Sequence, residues 1–240
     1  MNQDVTEAIR RLQEDRRHQV RRFDPGTDFE PRVAVLPSSF NPPTFAHLRL
    51  LELAREQVDD IAASAALLST SNVDKGVYGA DLPDRVGMLL AIHEVRRDIA
   101  ILASNAARIM DQAGTLRGEH PGVGFDFVVG FDTLVRVFDE RYYEGSIARE
   151  LDPFFHNHRL IATNRAEWTV DEVQEFLDRP IVRDFAERIL VRELEPERAR
   201  HSSTEERETI EQGGEPIGIP PAVADYIRRR NLYGANDDST

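Results

Sequence analysis

The chain has 240 residues, 40% hydrophobic and 30% charged, with 43 acidic against 30 basic side chains and a formal charge of −13. That composition describes a folded domain with ample core, and its acidity makes nucleic acid a poor partner, since a duplex-binding surface needs a basic face. No run approaches the roughly 18 apolar residues of a membrane span, so no membrane partner is expected. There are no cysteines, which removes disulfides, thiolate metal sites and cysteine nucleophiles and fits a cytoplasmic setting.

The first segment, "MNQDVTEAIRRLQEDRRHQV", lacks the apolar core of a signal peptide, so export is not indicated. Its Arg- and Glu-rich pattern predicts a helix over about 6–20, followed by "FDPGTDFEPR", where Pro and Gly break regular structure. Residues 1–31 therefore read as an N-terminal helical arm and linker, 32–234 as the main domain and 235–240 as a disordered tail. From Arg32 the pattern alternates. Val33–Leu36 predicts a buried strand, and Leu50, Leu51, Ala54 and Val58 fall at helical spacing. Ile61–Leu68 reads as a strand, Leu82–Arg97 as a helix, Ile99–Ala103 as a strand and 105–117 as a helix. "FDFVVG" (125–130) is the next strand and "DTLVRVFDERYY" the next helix. "RLIAT" (159–163), "VDEVQEFLD" (170–178) and "RILVREL" (188–194) read as strand, helix and strand. Two helices close the chain, opening at "SSTEERETIEQGG" and at "PPAVADYIRRRNLYG", the latter with Gly234 just past its end. Such alternation argues for a parallel sheet covered on both faces, with ligands beyond the carboxyl ends of its strands. The loops after Leu36, Leu68, Val129 and Thr163 carry the interest.

Each of those loops has an ordinary and a chemical reading. In "VAVLPSSFNPPTFAHLRLLELA", Thr44 can simply cap the following helix. Alternatively, Thr44 and His47 share a helical face at an N-terminus suited to an anion. In "HSSTEER" both Ser202 and Ser203 satisfy the capping-box spacing with Glu205 and Glu206. The same hydroxyls, with Thr204 and Arg207, would also suit a polyphosphate. In "VVGFDTL", Gly130 permits close approach, and Asp132 either caps a helix or faces a ligand. "NVDKGVYGADLPDR" carries Lys75, which is either solvated or an anion ligand.

Taken in order, these motifs resemble the nucleotidyltransferase superfamily with the signatures [HT]-x-G-H and I-S-S-T-x-x-R. The chain is most similar to the nicotinamide/nicotinate mononucleotide adenylyltransferases, over roughly 32–234, and the closing "IPPAVADYIRRRNLY" is similar to that family's final helix. The resemblance implies a Rossmann-like, doubly wound α/β sheet with helices on both faces and a C-terminal helical segment. It implies ATP and a pyridine mononucleotide as partners, with Mg²⁺ bound through the ATP phosphates. Thr44 and His47, with Ser39 and Phe40 in the same loop, would meet the ATP phosphates. Ser202, Ser203, Thr204 and Arg207 would hold the triphosphate, Gly130 and Asp132 would meet the adenosine ribose, and Lys75 would meet the mononucleotide phosphate. Tyr142, Tyr143 or Trp168 would stack on the pyridine ring or lie in the core, and Arg165 is a candidate contact with substrate or nucleotide.

The chain departs from the family pattern at Pro37-Ser38, where glycines are usual, at Ala46 for the signature glycine, and at His201 and Glu206 for isoleucines. Two other functions therefore stay open: cytidylyl or adenylyl transfer to a different phosphorylated acceptor, and nucleotide binding without catalysis. No separable interface motif stands out, and a homo-oligomer is left open.

Overall fold

The computed structural model describes residues 2–26, 29–71, 79–163, 168–194 and 202–234. Among them, seven strands form one sheet: β1 (Val20–Arg22), β2 (Arg32–Ser38), β3 (Ala63–Ser69), β4 (Ile99–Ser104), β5 (Gly124–Gly130), β6 (Arg159–Thr163) and β7 (Ile189–Arg192). Their order is β1-β4-β3-β2-β5-β6-β7, and every pair is parallel except β1 with β4. The order runs outward in both directions from the β2–β5 pair, so the topological switch point lies between those two strands.

Among the described residues the α-helices are α1 (Asn2–Glu14), α2 (Phe45–Gln57), α3 (Leu82–Val95), α4 (Ile109–Glu119), α5 (Phe131–Val137), α6 (Ile147–Asn157), α7 (Val170–Leu177), α8 (Pro180–Arg183), α9 (Ser203–Glu211) and α10 (Pro221–Arg230). Side-chain alternation along each strand assigns them to two faces. Val33, Val35, Phe125 and Phe127 face a core completed by Leu116 of α4, Leu134 of α5, Phe154 of α6 and Phe176 of α7. Ala34, Leu36 and Ile101 face the other core, with Leu51 of α2, Leu89 of α3, Ile210 of α9 and Ile227 of α10. Each fully buried Leu, Ile or Phe contributes about 1.5–3 kcal/mol, so both layers are needed.

The structure departs from the sequence expectations in four places. The first helix ends at Glu14, and the chain then adds β1 to the sheet edge, tied by Asp24, whose carboxylate accepts the Ile101 N–H at 2.8 Å. Val5, Ile9 and Leu12 of α1 pack into the same core as α3. Second, α6 was not expected, although Ile147, Leu151, Phe154 and Phe155 recur at helical spacing; Pro153 lies inside it. Third, the helix expected after β5 stops at Val137, and Asp139 caps a separate 3₁₀ turn at Glu140–Tyr142. Last, α10 ends on Asn231 in the left-handed conformation (φ 51°) rather than on Gly234.

The amino-terminal ends of the strands carry a compensated charge cluster. The Asp126 side chain is fully buried and is gripped by Arg32 and Arg159, with Arg159 also donating to Asp60 at 2.6 Å. Gly124 makes room for this: a Cβ there would sit 2.3 Å from the Arg32 guanidinium. His158, 2% exposed, accepts the Phe125 N–H on Nδ1 at 3.3 Å. Burial, reinforced by the Arg32 charge, pushes its pKa down to about 4.

Candidate active site

At the opposite end, β2 pairs with β3 as far as Ser38 but with β5 only as far as Val35. The crevice of the switch point therefore opens beside Leu36, Pro37 and Ser38. Proline, which lacks an amide donor, is tolerated there because β2 has already left β5.

The loop that follows is locally strained. Phe40 holds φ at +43° with its side chain 1% exposed, and its ring lies 5.0 Å from that of His47. A bulky residue in the left-handed region costs energy and is held only when its surroundings dictate it. Here they do. Asn41 Oδ1 accepts both the Ala80 N–H (3.1 Å) and the Tyr233 hydroxyl (2.7 Å). The Asn41 carbonyl accepts from Arg207, the Pro42 carbonyl from the Ser203 hydroxyl at 2.8 Å, and the Ser39 carbonyl from Arg85 at 3.3 Å. Three distant segments thus clamp one loop.

Thr44 is the N-cap of α2, and His47 sits three residues on, where a capping box usually places Glu or Gln. His47 Nδ1 accepts the Thr44 N–H at 3.0 Å and lies 2.8 Å from the Thr44 hydroxyl. A backbone N–H can only donate, so a neutral His47 ring carries its hydrogen on Nε2. Nε2 lies 3.1 Å from the Ser38 hydroxyl. Thr44 itself is 1% exposed, so its contribution to the site runs through His47.

Two guanidiniums flank the loop. Arg207, one turn into α9, also donates to the Ser203 carbonyl (3.1 Å) and the Thr204 hydroxyl (3.2 Å). Arg85, 4% exposed on α3, donates to the Ala80 carbonyl at 2.8 Å. Burial lowers the Arg85 pKa, the nearby Tyr233 opposes this, and the Arg207 charge lowers it further. Burial in turn raises the pKa of the Tyr233 hydroxyl, which stays a donor at all ordinary pH. These bonds to carbonyls and hydroxyls fix two cationic groups against the loop at the crevice.

Of the other expected residues, Ser202 caps α9 and is joined to Glu205 in a capping box, with Ser202 and Thr204 exposed. Glu206 is 4% exposed and lies four residues before the buried Ile210, so its carboxylate is not on the exposed rim. Gly130 is the N-cap of α5, which removes that task from Asp132, exposed in the first turn. Trp168 is 40% exposed, with its ring 4.9 Å from Phe131, beside Asp132. Tyr143 packs on the core, its hydroxyl donates to the Val137 carbonyl at 2.5 Å, and burial raises its pKa to about 12. Tyr142 lends its backbone carbonyl to Arg108 at 3.4 Å. Lys75, Arg165 and His201 lie outside the described residues.

Arg85, the Ser38–His47 contact and the Asn41–Tyr233 bond escaped the sequence reading. Arg85 did leave a trace, a charge among the apolar residues of "DRVGMLLAIHEV". Among the described residues, no group of three or more His, Cys, Asp or Glu side chains is placed to hold a metal ion, and no helix is long and apolar enough to cross a membrane.

No family model matches the chain. It is 30% identical over 154 residues to a Schizosaccharomyces pombe protein named as a nicotinamide mononucleotide adenylyltransferase, a match covering 61% of this chain and 59% of that relative. It is 27% identical to a Synechococcus protein named as a nicotinate-nucleotide adenylyltransferase, over 84% of this chain and 96% of the relative. Among solved structures, the Plasmodium falciparum nicotinic acid mononucleotide adenylyltransferase complexed with NaAD superposes with a TM-score of 0.65 at 20% identity, covering 86% of this chain and 99% of that one. The superposition shows the same Rossmann-like α/β fold in both chains. The sequence relatives described are named as nicotinate- and nicotinamide-nucleotide adenylyltransferases.

Proposed function

We propose that this chain transfers the adenylyl group of ATP to nicotinate or nicotinamide mononucleotide. An oxygen of the mononucleotide phosphate forms a bond to the α-phosphorus of ATP, the bond from that phosphorus to the β-phosphate oxygen breaks, and pyrophosphate leaves. The product is a dinucleotide, deamido-NAD or NAD. No protein nucleophile is needed, so the residues work by positioning and by stabilising charge.

The observation that carries this reading is the convergence at the switch point of the His47 Nε2–H, the Arg207 and Arg85 guanidiniums and the N-termini of α2 and α9. His47 would act on the α-phosphate, while Arg207 and the Ser202–Thr204 segment would take the outer phosphates. Gly130 and Asp132 would meet the adenosine ribose. Lys75 and Arg165 would contact the mononucleotide, and Trp168 is better exposed than Tyr143 for stacking on its ring. Mg²⁺ would enter as part of the ATP substrate, carried by phosphate oxygens and water. A cytoplasmic location is in keeping with the absence of cysteines, and we place the protein there.

The test is direct. Purified protein is incubated with ATP, Mg²⁺ and each mononucleotide, and dinucleotide is measured by chromatography. Product with either mononucleotide supports the proposal, and the ratio of rates identifies the acceptor. ATP binding without product from either would overturn it.

A further inference from the structure

Pro37 can offer no amide hydrogen at the mouth of the crevice, and the next residue is a serine whose hydroxyl meets His47. The Thr44 N–H occupies Nδ1, so the His47 hydrogen is on Nε2 and donates to Ser38 Oγ. A hydroxyl that accepts a hydrogen bond still has its own hydrogen to give, in a different direction. Accepting from the imidazole also polarises that O–H and makes it a stronger donor. Ser38 is half-buried at the last position of β2, beyond the point where β2 leaves β5, so the crevice lies alongside it.

We propose that Ser38 is a further phosphate-contacting residue: its hydroxyl, oriented by His47, donates to a non-bridging oxygen of the ATP α-phosphate. The chain Thr44 N–H, His47 imidazole, Ser38 hydroxyl then delivers one aimed donor to the reacting phosphate and supplies what Pro37 cannot. His47 acts on the phosphate through Ser38. This rests on the adenylyl-transfer reading above.

The experiment compares the intact chain with Ser38→Ala, Ser38→Gly and Ser38→Thr variants. It reads kcat, the KM of each substrate, and the Kd of α,β-methylene-ATP by calorimetry. Loss of one preorganised donor should lower kcat about 10- to 100-fold in the Ala and Gly variants. The KM of the mononucleotide should stay within about twofold, and Ser38→Thr, which keeps the hydroxyl, should recover most of the rate. Unchanged or raised kcat in Ser38→Ala, with tighter analogue binding, would show that the hydroxyl merely competes with phosphate for His47, and overturns the proposal. A Ser38→Thr variant as slow as Ser38→Ala assigns the loss to shape and overturns it too. Should the unaltered protein make no dinucleotide, the function reading fails by itself. The analogue Kd then still decides: weaker binding by Ser38→Ala supports a phosphate contact, and equal binding refutes it.

Discussion

The two ends of the sheet use the same residue types for opposite purposes. At the amino ends of the strands, Arg32 and Arg159 close on the buried Asp126 carboxylate, and His158 lies buried with its Nδ1 accepting a backbone N–H. At the carboxyl ends, Arg85 and Arg207 donate to backbone carbonyls, and His47 also accepts a backbone N–H on Nδ1, but its Nε2 faces a half-buried hydroxyl at the crevice. Countercharge makes the first end structural. At the second, Arg85 and Arg207 are held by backbone carbonyls and a hydroxyl beside the crevice, where a cation can meet an anion.

If that contrast is right, the largest effect belongs to Asp126→Asn. It strips the countercharge from two enclosed guanidiniums and should destabilise the fold by about 3–5 kcal/mol in chemical denaturation. A loss below about 1 kcal/mol would mean the cluster is solvated and the contrast is false. His47→Ala should do the reverse: kcat falls about 10- to 100-fold, as in Ser38→Ala, while the denaturation midpoint moves little, because the ring is half-buried at the crevice. An unfolded His47→Ala protein would make His47 a core residue like His158.

The histidines also separate by pH. His158 has an ordinary pKa of 6.5 when unfolded and about 4 when folded, so the unfolded chain binds the extra proton in that window. The stability it contributes is complete above about pH 6.5 and is lost as pH falls toward 4, by up to about 3 kcal/mol. His158→Asn keeps an acceptor for the Phe125 N–H but does not titrate. Denaturation curves between pH 7 and 4 should therefore show a shallower loss for that variant, and an equal slope would place the titration elsewhere.

Much of this was legible in the sequence, and the boundary is physical. Apolar runs such as Val33–Leu36 declare buried strands, and capping residues such as Thr44 and Ser202 declare helix starts, because both signals are local. β1 is three residues long and exists through its pairing with β4, a partner about 80 residues away in the chain. The register of Ser38 against His47, and of Asn41 against Tyr233, likewise depends on how the loop is clamped by α3, α9 and the residues after α10. The sequence marked Pro37-Ser38 as unusual. Only the fold shows that Ser38 stands within hydrogen-bonding distance of His47.

Calorimetric titration of ATP–Mg²⁺ into the unaltered chain and an Arg207→Met variant asks whether the carboxyl end of the sheet holds a triphosphate. Losing a charge-assisted contact of about 1.5–3 kcal/mol should weaken binding at least tenfold, with the variant still cooperatively folded. An ATP Kd that is the same for both proteins would contradict the account.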